Sequence, residues 1–169
     1  MNTRILMTTY NCYNYIGQAI KSILNQTYKD FELLIIDDGS IDNTEEIISQ
    51  FKDNRIRYIK RQHSGMGASL NFGLMNASND FIALMDADDI SDTNRLERQL
   101  KCHSKNPNEI IFTSAAFFKS KKILFTGDTK VNAPKFTSQL ALHGPYNNAT
   151  AFFGLKHKTK DDSIWQHTL

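Results

Sequence analysis

Two acidic clusters, each directly after an apolar run, constrain this chain more than any other feature. The sequence DDGS at 37–40 follows the apolar run 31–36, and DADD at 86–89 follows the apolar run 81–85. Short continuous apolar runs are typical of parallel strands that are covered on both faces. Ligands of such sheets bind outside the carboxyl ends of the strands, so we expect both clusters at the same edge.

The chemistry of these clusters points to a bound cation. Several carboxylates at one edge repel each other unless a cation lies among them. Hard oxygen ligands suit Mg²⁺ or Mn²⁺, and these cations in turn suit a diphosphate. The clusters therefore predict a metal-assisted site for a phosphorylated ligand. The alternative for either cluster alone is that acidic residues after a strand form turns or cap helices.

The composition is that of an ordinary globular protein and argues against several classes. The 169 residues, 40% hydrophobic and 22% charged, suit one domain with a substantial core. A net charge of +2 gives no nucleic-acid footprint. Cys12 and Cys102 lie too far apart for a metal motif, which favours reduced thiols. We find no signal segment and no run near the roughly 18 apolar residues of a membrane span, so we expect a cytoplasmic location.

Strands and helices alternate along the first half of the chain. The apolar pattern predicts strands at 5–7, 31–36, 56–59 and 81–86 and helices with buried positions within 16–24, 47–51 and 70–77. Asp42 and Glu45 have the spacing of a capping box at the start of the second helix. Parallel neighbours need such crossovers, so we expect a Rossmann-like sheet with helices on both faces.

Beyond Asp89 the pattern changes. Asp92 is expected to cap a helix with Leu96, Leu100 and His103 on its buried face. Strands without helices between them are expected at 110–113, 117–118 and 123–125, then a short helix near 136–142 and a strand within 149–155. This predicts a mixed edge on a mostly parallel sheet. We expect one domain over 1–169, with a nucleotide half at 1–89 and an incomplete acceptor half at 90–169.

Five segments carry a resemblance to a known family. They are TTYN at 8–11, SILNQTY at 22–28, DDGSIDNT at 37–44, NFGL at 71–74 and MDADD at 85–89. In this order and spacing they resemble the family 2 glycosyltransferases of the GT-A fold. The resemblance implies an α/β three-layer sandwich and inverting transfer of a sugar from a nucleoside diphosphate donor, with Mn²⁺ or Mg²⁺. A UDP-sugar donor, a glycan or lipid-linked acceptor and a role in cell-surface polysaccharide synthesis are expected with it.

The resemblance assigns donor-binding positions in the first two loops: Thr8, Tyr10, Asn11, Asp37, Asp38 and Gly39. Thr8 and Tyr10 are expected to hold the donor base, and Asp38 is expected to hydrogen-bond it. Asp37 is expected to hold that turn or the ribose. The alternative for Asp37 is that it only places negative charge near a helix N-terminus.

The second cluster resembles the DXD element of the family. Asp86 is expected to reach the ribose or the metal, and Asp88 is expected to bind the metal that bridges the two phosphates. The charge that develops on the leaving diphosphate would then be neutralised. Ala87 and Asp89 complete the donor-binding set, with Asp89 expected to orient the other acids or to contact the sugar.

The resemblance departs from the family where a general base is needed. Family members supply it from an acidic pair in the acceptor half, and here only Asp161 and Asp162 come close. This pair follows the predicted strand within 149–155 too soon for the helix that family members place between them. Two interpretations stay open. Either the chain is a shortened or truncated member that binds a nucleotide-sugar with little or no turnover, or Asp162 acts as the base on an abbreviated scaffold.

The second acidic cluster and two basic runs have alternative interpretations. A phosphohydrolase that uses Asp86 and Asp88 would place this motif on its first strand, whereas here it follows the fourth. The basic runs 119–122 and 156–160 are either solvated faces or contacts to anionic lipid, which would make the chain peripheral at the inner face of the membrane. No nucleic-acid partner is expected.

Overall fold

The chain forms an α/β fold in which helices and strands alternate. The computed structural model describes residues 3–76, 81–105, 110–113, 115–119, 122–127 and 152–154. Its elements are β1 Thr3–Thr9, α1 Ile16–Leu24, β2 Phe31–Asp37, α2 Thr44–Ser49, β3 Ile56–Lys60, α3 Met66–Met75, β4 Phe81–Asp86, α4 Arg95–Lys105, β5 Ala115–Lys119, β6 Lys122–Gly127 and β7 Phe152–Gly154.

The main sheet has the strand order β3-β2-β1-β4-β7. Its first four strands are parallel, which confirms the predicted Rossmann-like core. The fifth strand, β7, pairs antiparallel with β4 through residues 152–154. The mixed edge expected from the sequence stays a prediction. β5 and β6 form a separate antiparallel pair.

Two apolar clusters lie on opposite faces of the sheet and create the layers. On one face, Ile5, Met7 and Ile35 pack with buried side chains of α1, α2 and α4. On the other face, Leu6 and Leu34 pack with side chains of α3. Successive residues of a strand point to opposite faces, so the apolar runs in β1, β2 and β4 supply both clusters.

α3 lies unusually close to the sheet at Gly73. A Cβ atom built on Gly73 would lie 2.3 Å from Cδ1 of Leu6, which is shorter than any van der Waals contact. The absent side chain therefore sets the distance between this helix and β1. The sequence NFGL at 71–74 places this glycine in the middle of the helix, where glycine otherwise lowers stability.

Two sequence predictions of local structure are wrong. Asp42 and Glu45 do not form a capping box: Asp42 Oδ1 accepts the backbone N–H of Thr44 at 3.0 Å, and Glu45 instead forms an ion pair with Lys60 at 2.8 Å. Residues 110–113 are not a regular strand. Within this stretch only residue 111 forms a bridge, and its carbonyl accepts a hydrogen bond from the side chain of Gln99 at 3.1 Å.

Other predictions fall wholly or partly outside the described residues. The end of the third helix at Ala77, the helix near 136–142 and most of the segment 149–155 belong to this group. The helix expected after Asp92 is confirmed as α4, with Leu96 and His103 buried. None of the helices in the described ranges combines the length and apolar character that a bilayer span requires.

Candidate functional site

The two acidic clusters lie at the same edge of the sheet, on either side of β1. Thr9 is paired with Asp37 of β2, and Thr8 is paired with Asp86 of β4. All three strands run in the same direction, so their carboxyl ends meet here. The loops that follow them form the candidate site.

The loop after β1 is fastened to the loop after β2. Backbone and side-chain hydrogen bonds join the two loops: Asn11 N to Ser40 Oγ at 2.9 Å, Ile41 N to Asn11 Oδ1 at 2.9 Å, Cys12 N to Thr44 Oγ1 at 2.8 Å and Tyr13 N to Asp42 Oδ2 at 3.2 Å. Asn11 adopts a positive φ of 49°, which asparagine tolerates better than most residues. The Asn11 side chain thus shapes this edge.

Asp37 is fully buried and both of its carboxylate oxygens have partners. Oδ1 accepts the backbone N–H of Ser40 at 2.8 Å, and Oδ2 accepts the hydroxyl of Tyr58 at 2.6 Å. Burial and the bond to Asp37 raise the pKa of Tyr58 well above its usual range, so the hydroxyl stays a donor. This geometry fits a residue that holds the turn after β2.

Asp38 is also buried, and its carboxylate organises the loop before α3. Oδ1 accepts from Ser69 Oγ at 2.7 Å and from the backbone and hydroxyl of Ser64 at 3.0 and 3.2 Å, while Oδ2 accepts the N–H of Gly65 at 2.8 Å. Burial raises the pKa of Asp38, but these hydrogen bonds outweigh it and bring the pKa below the ordinary value. At neutral pH the carboxylate is therefore ionised, and both of its oxygens accept hydrogen bonds from other residues of the chain.

An aromatic pair stands beside Asp38 at the surface. The rings of Tyr10 and His63 are stacked, with centroids 4.3 Å apart. His63 Nδ1 lies 2.8 Å from Asp38 Oδ2, and the Tyr10 side chain is 46% exposed. Tyr10 therefore presents an accessible aromatic ring at the position where the sequence predicts binding of the nucleotide base.

Gly39 allows the loop after β2 to approach the loop after β3. Its φ is +81°, and a Cβ atom there would lie 2.8 Å from the backbone nitrogen of His63. Residues other than glycine disfavour this φ, and moving the backbone atoms that face Gly39 would cost free energy. Glycine at this position is thus required by the geometry.

The acidic loop after β4 carries unbalanced negative charge. Burial, Asp89 and Asp88 raise the pKa of Asp86 to about 6, while Arg95 acts in the opposite direction. Asp88 is exposed, whereas Ala87 is buried at 5% exposure. Repulsion of this kind is relieved when a cation binds.

A buried arginine lies beneath this loop. Arg95 is 6% exposed, and its Nη2 donates to the carbonyl of Leu84 at 2.6 Å. Burial lowers the pKa of Arg95 to about 10, against the opposing attraction of Asp89 and Asp86, so the guanidinium stays charged at neutral pH. Its charge offsets part of the repulsion among the carboxylates.

The residues of the acidic loop fit a divalent cation that is shared with a ligand. Among the residues whose side chains are described, no group of three or more His, Cys, Asp or Glu is arranged to hold a metal ion. Mg²⁺ is commonly bound by one or two carboxylates together with substrate phosphates and water. Asp86 and Asp88 supply that number of carboxylates, and a phosphorylated ligand would supply the rest.

The structure describes Cys12 but not the predicted general base. Burial and the charges of Asp88 and Asp42 raise the pKa of Cys12 to about 11, so its thiol is not a nucleophile at neutral pH. The predicted base pair, Asp161 and Asp162, lies outside the described residues. The structure therefore leaves this assignment as a prediction.

Sequence reasoning missed several polar residues that shape the edge: Gln26, Ser69 and Arg95, which are buried, and Tyr58, which is partly buried. Tyr58 and Ser69 bind acids more than 20 residues away, and no spacing rule connects such pairs. Arg95 and Gln99 alternate with apolar residues on the buried face of α4. A charged residue at an apolar position of a helix was the available signal for Arg95.

Comparisons with known proteins agree with this arrangement. The family model described as Glycosyl transferase family 2 matches residues 4–161. An Escherichia coli protein named UDP-Glc:alpha-D-GlcNAc-diphosphoundecaprenol beta-1,3-glucosyltransferase WfgD is 36% identical over 121 residues, which are 71% of this chain and 48% of that protein. The chain spans between 16% and 49% of the length of the curated relatives it matches.

Two solved structures share the fold. The structure of S. aureus TarS 1-349 in complex with UDP-GlcNAc matches 94% of this chain and 47% of its own, with a TM-score of 0.73 and 20% identity. The mannosyltransferase PcManGT from Pyrobaculum calidifontis, in complex with GDP-Man and Mn²⁺, matches 60% of this chain and 32% of its own, with a TM-score of 0.56 and 21% identity.

Proposed function

Because the chain belongs to glycosyl transferase family 2, we propose that it transfers a sugar from a nucleoside diphosphate-sugar to an acceptor hydroxyl with inversion. The observation that carries the proposal is the pairing of β1 with both neighbours, which brings the two acidic clusters to one edge. A nucleoside diphosphate has an aromatic base at one end and a strongly anionic diphosphate at the other. An aromatic surface beside a cation site matches both ends.

We assign the nucleotide base to the side of the site formed by Thr8, Tyr10 and Asn11. Support comes from the exposed Tyr10 ring and from the fastened loops that hold it. Asp37 and Gly39 shape this wall. A nucleotide base that hydrogen-bonds to Asp38 has to displace one of its present partners, such as the His63 side chain, which is 56% exposed.

The diphosphate is assigned to the acidic loop, where Asp88 and Asp86 hold Mn²⁺ or Mg²⁺. A divalent cation in this position neutralises negative charge on the leaving diphosphate. The raised pKa of Asp86 supports the assignment, because burial and the charges of Asp89 and Asp88 disfavour its ionised form, and a bound cation would offset both effects. Asp89 orients the other two acids, and Ala87 keeps the loop tightly packed between them.

UDP-glucose and a lipid-linked acceptor are the first substrates to test. The name of the Escherichia coli relative states a UDP-Glc donor and an alpha-D-GlcNAc-diphosphoundecaprenol acceptor. An acceptor of this class is membrane-bound, so the chain would work in cell-surface polysaccharide synthesis at the cytoplasmic face of the membrane, in peripheral contact with it. Asp162, assisted by Asp161, is assigned as the base that removes the proton from the acceptor hydroxyl.

The test is transfer of radiolabelled glucose from UDP-glucose to GlcNAc-diphosphoundecaprenol in the presence of Mn²⁺. We expect transfer by the unchanged chain, and a loss of about a hundredfold or more in Asp88→Asn, because charge stabilisation of the leaving group is removed. Asp30→Asn is the matched control, since Asp30 is exposed and precedes β2 at the opposite edge. Donor binding without transfer to any acceptor would contradict the transferase proposal and favour a nucleotide-sugar-binding module.

A further inference from the structure

Gln26 lies in the segment SILNQTY, to which the resemblance assigns no role. It is fully buried although it is polar. Its Nε2 lies within hydrogen-bond distance of Ser22 O at 3.3 Å, Ser91 Oγ at 3.2 Å and Asp92 O at 2.6 Å, and its Oε1 accepts the N–H of Leu96 at 3.0 Å. A buried amide with this many partners is costly to replace, because an apolar side chain would leave those groups unpaired.

Three of these four partners, Ser91, Asp92 and Leu96, belong to the segment 91–97, which runs from the end of the acidic loop into α4. Residues 22–27, which are the last part of α1 and the residues after it, make three further hydrogen bonds to the segment 91–97: Ser91 N to Ser22 Oγ at 3.0 Å, Thr27 N to Thr93 O at 2.8 Å and Thr27 Oγ1 to Glu97 Oε2 at 2.8 Å. We call this contact, between residues 22–27 and 91–97, the α1–α4 clamp. Gln26 is its buried centre.

The acidic loop is thereby held at both ends. At its start, β4 is paired with β1 up to Asp86, and Arg95 binds the carbonyl of Leu84. At its far end, Ser91 is held by the clamp. Between these points the N–H of Asp89 donates to the carbonyl of Asp86 at 3.3 Å, and Asp88 is exposed.

Fixed ends matter because the carboxylates of this loop repel each other before a cation binds. A loop that is free at one end would relax by moving its acids apart. The cation would then have to bring them together again, and the cost of that ordering would weaken its binding.

We propose that Gln26 is a positioning residue of the metal site. Through the α1–α4 clamp it fixes the far end of the acidic loop, so that Asp88 stays beside Asp86 in the cation-free protein. The inference rests on the proposed function, because it assumes that these acids bind a divalent cation together with a nucleoside diphosphate. It adds a residue that touches neither ligand.

The competing explanation is that Gln26 only joins two helices. In that case its replacement lowers the stability of the domain but leaves the cation affinity of the folded protein unchanged. Measuring stability and cation affinity on the same variants separates the two explanations.

The variants are Gln26→Leu, which removes the amide at similar volume, and Ser22→Ala, which removes one bond to Ser91. Ser49→Ala is the matched control. Both serine hydroxyls donate to the carbonyl three residues earlier at 2.7 Å, but only Ser22 also accepts a bond from the segment after the acidic loop. Ser22→Ala keeps the inference testable if Gln26→Leu does not fold.

The measurement is calorimetric titration of Mn²⁺ into each folded variant, saturated with whichever of UDP, GDP, dTDP and CDP the unchanged chain binds best. We expect Mn²⁺ affinity to fall about tenfold or more in Gln26→Leu and about threefold in Ser22→Ala, with Ser49→Ala unchanged. Nucleotide affinity without Mn²⁺ should stay within about twofold, because the base side is untouched. Amide hydrogen exchange of residues 87–92 should quicken in Gln26→Leu.

Two results would overturn the inference in distinguishable ways. If the unchanged chain shows Mn²⁺-dependent nucleotide binding and the variants lose only melting temperature, Gln26 is structural and the proposed function stands. If the unchanged chain shows no Mn²⁺-dependent binding of any of the four nucleotides, the metal assignment fails and this inference fails with it.

Discussion

At the scale of single residues, the site is made of acids with different environments. Asp37 and Asp38 are buried and hydrogen-bonded by their own chain, so they shape loops. Asp86 is less satisfied, and its pKa is raised to about 6 by burial and by Asp89 and Asp88. The first cluster therefore stabilises the fold at neutral pH. The carboxylates of the second cluster repel each other, and a bound cation would reduce that repulsion.

We expect Asp86→Asn to stabilise the cation-free protein, but only at higher pH. Well below its ordinary pKa of 3.8, Asp86 is protonated in the folded and the unfolded protein, so its charge does not lower the stability. Between pH 3.8 and about 6 the loss of stability caused by ionising Asp86 grows, and above that range it is complete. Unfolding in urea with EDTA should show a gain of about 1–3 kcal/mol at pH 8 and almost none at pH 3. An equal gain at both pH values would contradict this account, and Asp30→Asn serves as the control.

We expect Gly39→Ala to lower the free energy of unfolding by about 2–4 kcal/mol, because it adds backbone strain and a contact with a backbone nitrogen. Gly65→Ala is the control for strain alone, since Gly65 has a φ of +90° but open space around its Cβ position. The difference between the two variants in urea unfolding measures the contact. Equal losses would mean that the closeness of the 39 and 63 backbones is not important.

At the scale of elements, much of the fold was predictable, because β2 and β4 are mostly apolar runs and α1 has one apolar face. Boundaries and partners were less predictable. The spacing of Asp42 and Glu45 is that of a capping box, but a lysine on β3 binds Glu45 instead. The roles of Gln26 and Arg95 depend on which elements meet in three dimensions, and periodicity identifies a buried face without identifying its partner.

We expect Gly73→Ala to destabilise the protein by about 1–3 kcal/mol, because the new methyl group overlaps Leu6 where α3 packs on β1. In a Leu6→Ala background the same change should cost nothing or be stabilising, since the overlapping atoms are gone. A double-mutant cycle by urea unfolding measures this coupling. Additive effects would show that α3 moves away from the sheet without cost.

At the scale of the whole molecule, the parallel core brings segments that are far apart in the sequence to one edge. Residues 8–11, 37–40, 61–65 and 86–89 meet there, and the α1–α4 clamp supports the last of them from below the edge. The sequence predicted that edge because both acidic clusters follow strands. It did not predict which acids are already satisfied, since their partners lie in other loops.

The most direct test of the central claim, a shared cation and diphosphate site at this edge, is the anomalous diffraction of Mn²⁺ in crystals grown with UDP and Mn²⁺. We expect a manganese peak bound by Asp88 and the diphosphate, with the uracil on the Tyr10 side of the edge. A manganese ion bound elsewhere, or UDP bound away from the acidic loop, would contradict it.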